Sequence, residues 1–131
     1  MPPIDWIAVL VSTVIAFVLG GLWYSPALFA KPWQQDTGLS DEQLNAANKG
    51  KIFGGSFILI LIGAIVFGAF VGPDPSLGLA LGAGASVGIT WVAFSFGVNY
   101  LFELKPIRLF FINGGYHAVQ FILFGVVFGL L

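Results

Sequence analysis

Four polar side chains in the last apolar segment of the sequence are the residues best placed to do chemistry. Their spacing is i, i+3, i+4 and i+7, which puts them on one face of a helix. They are Asn113, Tyr116, His117 and Gln120. His117 is the only histidine in the sequence, and histidine is the side chain whose charge changes nearest neutral pH. Such a face could bind a polar solute or carry a proton if water reached it.

The preceding apolar segment carries two polar side chains at matching depths. Counting about 1.5 Å per helical residue from the loop between the segments, Asn99 and Asn113 both lie about 6 Å deep. Ser95 and His117 both lie about 12 Å deep. If the two helices face each other, their polar residues form a continuous set, which we call the polar ladder. The polar ladder consists of Ser95, Asn99, Asn113, Tyr116, His117 and Gln120.

The polar ladder has two interpretations. Hydrogen bonds between membrane helices can simply fix their register, at about 0.6 kcal/mol each. Alternatively, the ladder lines a proton-accessible cavity centred on His117, because ionisable residues inside a membrane commonly mark functional sites. Glu103 lies about 12 Å nearer the surface than His117, so a proton relay would need water or a second subunit. We expect Glu103 to form a surface ion pair with Lys105 or Arg108.

Composition excludes most other classes of protein. The sequence of 131 residues is 58% hydrophobic and 8% charged, whereas soluble domains are about 25% charged. It has no cysteine and one histidine, so we expect no disulfide and no metal site. Five basic residues and a net charge of -1 leave no surface for nucleic acid. No carboxylate pair, nucleophile–base set or phosphate loop is evident, so we expect no enzyme activity and no cofactor.

Four apolar segments must position the polar ladder. They cover about residues 4–24, 52–71, 77–102 and 109–131, and each is long enough to cross a bilayer core of about 30 Å as a helix. The sequence therefore predicts an all-α membrane protein with four transmembrane helices in a single domain, 1–131. In the polar loop 25–51, Ser40 and Gln43 have the spacing of a capping box. This spacing predicts a short surface helix at about 41–49.

All basic residues fall on one side of the predicted membrane. They are Lys31, Lys49 and Lys51 in the first loop and Lys105 and Arg108 in the third. Since basic loops stay in the cytoplasm, we expect both loops to be cytoplasmic and both termini to lie outside.

Small residues on the third segment indicate close helix packing. One row consists of Gly78, Gly82, Ser86 and Thr90, and an adjacent row consists of Ala80, Gly84 and Gly88. Such rows let membrane helices approach closely, either within one bundle, which we favour, or between copies of the chain. The two halves of the sequence also share short motifs, so a tandem two-helix hairpin repeat and chance similarity in Gly- and Phe-rich sequence both stay open.

Three motifs resemble the signature positions of a membrane family known as domain of unknown function 1761. They are Gly20–Pro26 with Trp33, Asn99–Glu103, and Ile112–Tyr116. The resemblance covers nearly the whole chain, and Leu104-Lys105 replaces a more basic run that we expect after the glutamate. It implies a small four-span protein of a bacterial-type cytoplasmic (inner) membrane and supplies no activity.

These observations favour a non-enzymatic bundle in membrane lipid that forms a homo-oligomer or joins a larger membrane complex. The alternative is a small transporter or channel subunit, in which the polar ladder lines a path between protomers for an unknown ion or small molecule. The bundle interpretation comes first because 131 residues in four spans leave little room for a solute path inside one chain.

Overall fold

The computed structural model describes residues 3–131. About 81% of these residues are helical, and no strand occurs among them. Four helices are long and apolar enough to cross a membrane. The predicted class, an all-α membrane protein with four candidate spans, is confirmed.

Six helices make up the fold. They are α1 (Trp6–Trp23), α2 (Ala30–Thr37), α3 (Asp41–Ala46), α4 (Lys49–Val71), α5 (Leu77–Phe102) and α6 (Ile107–Leu130). The candidate spans are α1, α4, α5 and α6. The beginning of α1 and the end of α6 lie at one end of the bundle, which we call the terminal end. The opposite end carries α2, α3 and the turn between α5 and α6, and we call it the loop end.

Local sequence explains the helix boundaries in the first loop. Ser40 and Gln43 form the capping box that their spacing predicts. The surface helix ends at Ala46, because the Asn48 side chain accepts a hydrogen bond from the backbone N–H of Lys51 and begins α4 at Lys49. The predicted segment 41–49 is therefore divided between two helices.

Helix α2 has no counterpart in the sequence-based prediction. It spans Ala30–Thr37 and has a polar face with no long apolar stripe. Pro32 lies in its first turn. Backbone N–H groups of the first turn have no partner within a helix, so the absence of an N–H in proline costs no hydrogen bond there. The helix ends at Gly38, whose φ of 78° is in the left-handed region that favours glycine.

Helix α6 packs against α5 along most of its length and also against α1, while α4 packs chiefly on α1. The main apolar core lies toward the terminal end, where Phe67 of α4 contacts Phe124 and Phe128 of α6. Small residues allow α5 and α6 to approach there. A Cβ added at Gly84 would collide with the carbonyl oxygen of Phe121, and one added at Gly125 would collide with that of Ala80.

The two rows of small residues on α5 have different surroundings. Ala80, Gly84 and Gly88 are buried against α6, as expected for packing within one bundle. The other row, consisting of Gly78, Gly82, Ser86 and Thr90, is exposed.

Both α5 and α6 contain a π-helical segment. The segment in α5 is Ser86–Ala93 and the segment in α6 is Phe110–Gly114. They meet, because a Cβ added at Gly114 would lie 3.2 Å from the Cβ of Ala93. A π-helical turn holds more residues than an α-helical turn, so the residues that follow it are rotated from their expected face.

Candidate functional site

The loop end contains a hydrogen-bond network centred on Asn113. The Asn113 Nδ2 donates to the Tyr100 hydroxyl oxygen at 2.6 Å. The Tyr24 hydroxyl donates to Asn113 Oδ1 at 2.7 Å. One amide side chain on α6 therefore joins the end of α1 to α5.

Two further hydrogen bonds connect α1 to α6. The Trp23 indole N–H donates to the carbonyl oxygen of Ile112 at 2.8 Å. The Tyr116 hydroxyl donates to the carbonyl oxygen of Ala16 at 2.9 Å. Buried tyrosine and tryptophan need a partner for their polar atoms, and these backbone carbonyls supply it.

Glycines make room for the aromatic rings of this network. A Cβ added at Gly20 would lie 3.2 Å from the Tyr116 hydroxyl, and one added at Gly115 would lie 3.2 Å from the Trp23 ring. The Tyr24 ring contacts Tyr116 at a centroid distance of 5.7 Å. We call Trp23, Tyr24, Tyr100, Asn113 and Tyr116 the aromatic–amide network.

His117 lies beside this network on the same face of α6. Its Nδ1 is 2.8 Å from Gln120 Oε1, and since an amide oxygen only accepts, Nδ1 carries the proton in this contact. The imidazole stacks on Phe96 at 5.3 Å and meets the Tyr116 ring edge-on at 4.8 Å. Gln120 is buried. The pair is therefore enclosed by aromatic and amide groups, with no carboxylate among the contacts.

The polar ladder is only partly assembled. Asn113, Tyr116, His117 and Gln120 share one face of α6, but the side chains of Ser95 and Asn99 on α5 are exposed. The Ser95 hydroxyl donates to the carbonyl oxygen of Trp91 in its own helix. The two polar faces that match in depth therefore do not face each other, because the π-helical segment Ser86–Ala93 rotates the end of α5.

The charged residues also pair differently from the sequence-based expectation. Arg108 forms a two-pronged contact with Asp36 of α2, with Nε to Oδ2 at 2.8 Å and Nη2 to Oδ1 at 2.6 Å. The Asp36 side chain is only 7% exposed, and its hydrogen bonds with Arg108 lower the pKa of its carboxyl. Glu103 is not the partner of Arg108. This ion pair fixes α2 to the start of α6.

The described part of the chain contains no cluster of metal ligands. Within residues 3–131, no group of three or more His, Cys, Asp or Glu side chains could hold a metal ion.

Comparison with known proteins gives a family. The family model described as "Protein of unknown function (DUF1761)" matches residues 7–129. The chain belongs to this family. No curated protein and no solved structure matches it.

The motifs that resemble the DUF1761 family supply the residues of the aromatic–amide network. The three motifs that carry the resemblance lie on different helices or their ends, and each contributes to this network. Gly20–Pro26 contributes Trp23 and Tyr24, Asn99–Glu103 contributes Tyr100, and Ile112–Tyr116 contributes Asn113 and Tyr116.

Sequence reasoning placed some of these residues in a different role. Trp23 and Tyr24 stand at the end of the first apolar segment, where the sequence alone predicts anchors at the membrane–water interface, and the polar ladder does not include Tyr100. The signal that could identify them is their polar atoms, since an indole N–H or phenol buried in a small bundle requires a partner. Asp36 gives no such signal, because its partner lies 72 residues away.

Proposed function

We propose that this member of the DUF1761 family is a non-enzymatic membrane bundle that works by self-association, with the exposed side of α5 as its contact surface. The observation that carries the proposal is the exposed row of Gly78, Gly82, Ser86 and Thr90. Packing within the chain already uses the neighbouring row of small residues on the same helix. The exposed row is therefore free to contact another helix.

The chemistry of the exposed row suits contact between membrane helices. Without a hydrophobic driving force in lipid, helices associate through close van der Waals packing, and small residues permit that approach. The Thr90 hydroxyl donates to the carbonyl oxygen of Ser86 within α5. This hydroxyl thus needs no polar partner, and a second helix can pack on the row without leaving it unpaired.

The contacts of the polar ladder favour a structural role over a solute path. Asn113 and Tyr116 are held by groups of α1 and α5 in the same chain. Ser95 and Asn99 of α5 are exposed. A path along this ladder, as in a transporter or channel subunit, would have to be completed by another chain.

Substitutions on the exposed row test the proposal. We expect Gly82→Leu and Ser86→Leu each to weaken self-association about tenfold, equivalent to about 1.4 kcal/mol, when dimer formation is measured by energy transfer between labelled chains in liposomes. Gly54→Leu is the matched control, because Gly54 is an exposed glycine of α4 with open space around it. Equal association of all three variants and the parent chain would refute the proposed surface.

We also propose that the loop end faces the cytoplasm of a bacterial-type cytoplasmic membrane. The support is the distribution of lysine and arginine, which all lie at that end. Since the chain has no cysteine, single substitutions Gly38→Cys and Asp74→Cys can report the orientation. In intact cells, an impermeant thiol reagent should label only the cysteine at position 74, and labelling only at position 38 would reverse the assignment.

A further inference from the structure

An apolar cleft opens between α5 and α6 at the loop end. Its volume is about 350 Å³, which is within the size range of small-molecule sites, about 300–1,000 Å³. The cleft is lined by Phe94, Gly97, Val98, Tyr100, Leu101, Lys105, Pro106, Ile107 and Phe110. The lining is therefore nearly all hydrocarbon, with one lysine and one tyrosine among its residues.

The turn after α5 holds Lys105 close to Tyr100. The backbone N–H of Lys105 donates to the carbonyl oxygen of Tyr100 at 3.0 Å, and that of Leu104 donates to Leu101 at 3.4 Å. These two bonds form the Schellman motif that ends many helices. The motif puts Leu104 at φ 57°, a left-handed conformation that is unfavourable for a residue with a side chain. The chain thus adopts an unfavourable turn that brings the lysine back over the end of α5.

Tyr100 lines the cleft and also belongs to the aromatic–amide network. Its oxygen accepts a hydrogen bond from Asn113, and the amide of Asn113 accepts one in turn from Tyr24. Successive hydrogen bonds polarise one another. The proton of Tyr100 is not used in this chain of bonds, so it is available to an acceptor.

The charges around the cleft favour an anionic group. Arg108 is the other basic residue near the turn, and Asp36 neutralises it. Glu103, the acidic residue of the turn, is exposed and does not line the cleft. Lys105 is the basic residue that lines the cleft. An acceptor bound at the mouth would meet one positive charge and one hydroxyl donor, while an alkyl chain attached to it would lie against Val98 and Phe110.

We propose that this cleft binds an anionic phospholipid of the surrounding membrane. The lipid phosphate contacts Lys105 and the Tyr100 hydroxyl, and one acyl chain lies in the cleft along Phe94, Val98 and Phe110. Both parts of such a lipid are matched, because its charged end lies at the loop end and its chain extends into the bilayer beside α5. A free phosphate would leave the apolar walls without an occupant.

Lipid binding to the whole chain in mild detergent tests this proposal. Native mass spectrometry would compare phosphatidylglycerol with phosphatidylcholine of the same acyl chains. We expect Lys105→Gln to weaken phosphatidylglycerol binding about fivefold, the effect of one basic residue at an anionic surface, and to leave phosphatidylcholine unchanged. Lys31→Gln is the control, because Lys31 is an exposed lysine of the same end and does not line the cleft.

Two further variants separate the parts of the site. Tyr100→Phe should weaken phosphatidylglycerol binding and leave phosphatidylcholine unchanged, because it removes the hydroxyl and keeps the ring. Val98→Trp should weaken the binding of both lipids, since the larger side chain fills the cleft without altering charge. Far-UV circular dichroism checks that each variant keeps its helices.

Several results would overturn the proposal. Equal losses with Lys105→Gln and Lys31→Gln would indicate general attraction to the basic end. Displacement of phosphatidylglycerol by millimolar inorganic phosphate would indicate a simple anion site. If Val98→Trp dissociated an oligomer and left lipid binding unchanged, the occupant would be a second copy of the chain. This inference does not depend on the proposed self-association, because the lipid variants leave Gly82 and Ser86 intact.

Discussion

The terminal half and the loop half of the bundle are held together in different ways. In the terminal half, glycines bring α5 and α6 into backbone contact, and phenylalanine rings fill the space toward α4. In the loop half, the aromatic–amide network joins α1, α5 and α6 through directional hydrogen bonds. The bundle is therefore held by close backbone contact in its terminal half and by directional hydrogen bonds of aromatic and amide groups in its loop half.

The π-helical segment of α5 marks the boundary between the two halves. It begins at Ser86, and the small-residue row Ala80, Gly84 and Gly88 lies on its terminal side or at its start, whereas Tyr100 lies beyond it. The segment changes which residues of α5 face α6, and so changes the attachment from glycine contact to hydrogen bonding. On α6, Asn113 lies within the second π-helical segment and Tyr116 follows it.

The largest expected effect comes from breaking the close contact in the terminal half. A side chain at Gly125 would overlap the backbone of α5 at Ala80 and Leu81. We expect Gly125→Leu to lower the free energy of unfolding by about 3 kcal/mol, because neither backbone can move aside cheaply. Thermal unfolding in detergent, followed by circular dichroism, measures the loss. Gly54→Leu, in open space on α4, should lower the free energy of unfolding far less. Equal losses for the two variants would mean that the close contact of α5 and α6 at Gly125 does not stabilise the bundle.

A smaller effect is expected from the loop half, where the partners are polar. Asn113→Leu removes the amide that bonds both Tyr24 and Tyr100. We expect a loss of about 1–2 kcal/mol in the free energy of unfolding, since two hydroxyl groups lose a partner.

A double-mutant cycle sharpens this second prediction. If the network acts as a unit, Tyr100→Phe should cost less in the Asn113→Leu background than in the parent chain. Strict additivity of the two losses would show that these residues stabilise the bundle independently, and the contrast between the halves would weaken.

The same boundary explains which parts of the fold could be predicted. Four spans follow from the length of the apolar segments, and the packing row of α5 follows from its small residues. On an ideal helix, the face of Ala80, Gly84 and Gly88 continues through Ser95 and Asn99. The π-helical segment adds length to a turn, so Ala93 is buried there and Ser95 is exposed. No feature of the local sequence predicts this rotation of the end of α5.

The attachment of α2 to α6 could not be predicted from the sequence, for a different reason. Its sequence, AKPWQQDT, has the polarity of a loop. Proline is unfavourable in the interior of a helix, so Pro32 also argues against a helix until its place in the first turn is known. The Arg108–Asp36 pair joins residues that are distant in sequence, whereas proximity in the sequence favours a pair between Glu103 and either Lys105 or Arg108. The sign of the charges could be predicted from the sequence, but the partners depend on the folded path of the first loop.

The smallest expected effect is a pH dependence at the Arg108–Asp36 pair. Because the folded pKa of Asp36 is lowered, its contribution to stability is fully present above the unfolded value of about 3.9. The contribution is lost as the pH falls through the folded value. Arg108 is half exposed, and solvent screens such a pair, so we expect only a small change in the free energy of unfolding.

Comparison of the parent chain with Asp36→Asn at pH 6 and pH 3 isolates this contribution, because every other carboxyl is common to both proteins. The parent should lose more unfolding free energy between the two pH values than the variant does. Glu42→Gln, which removes an exposed carboxyl of α3, should behave like the parent. If Asp36→Asn kept the full pH dependence, α2 would be held to α6 by apolar contacts. Polar bonds would then contribute less to the stability of the loop half than we propose.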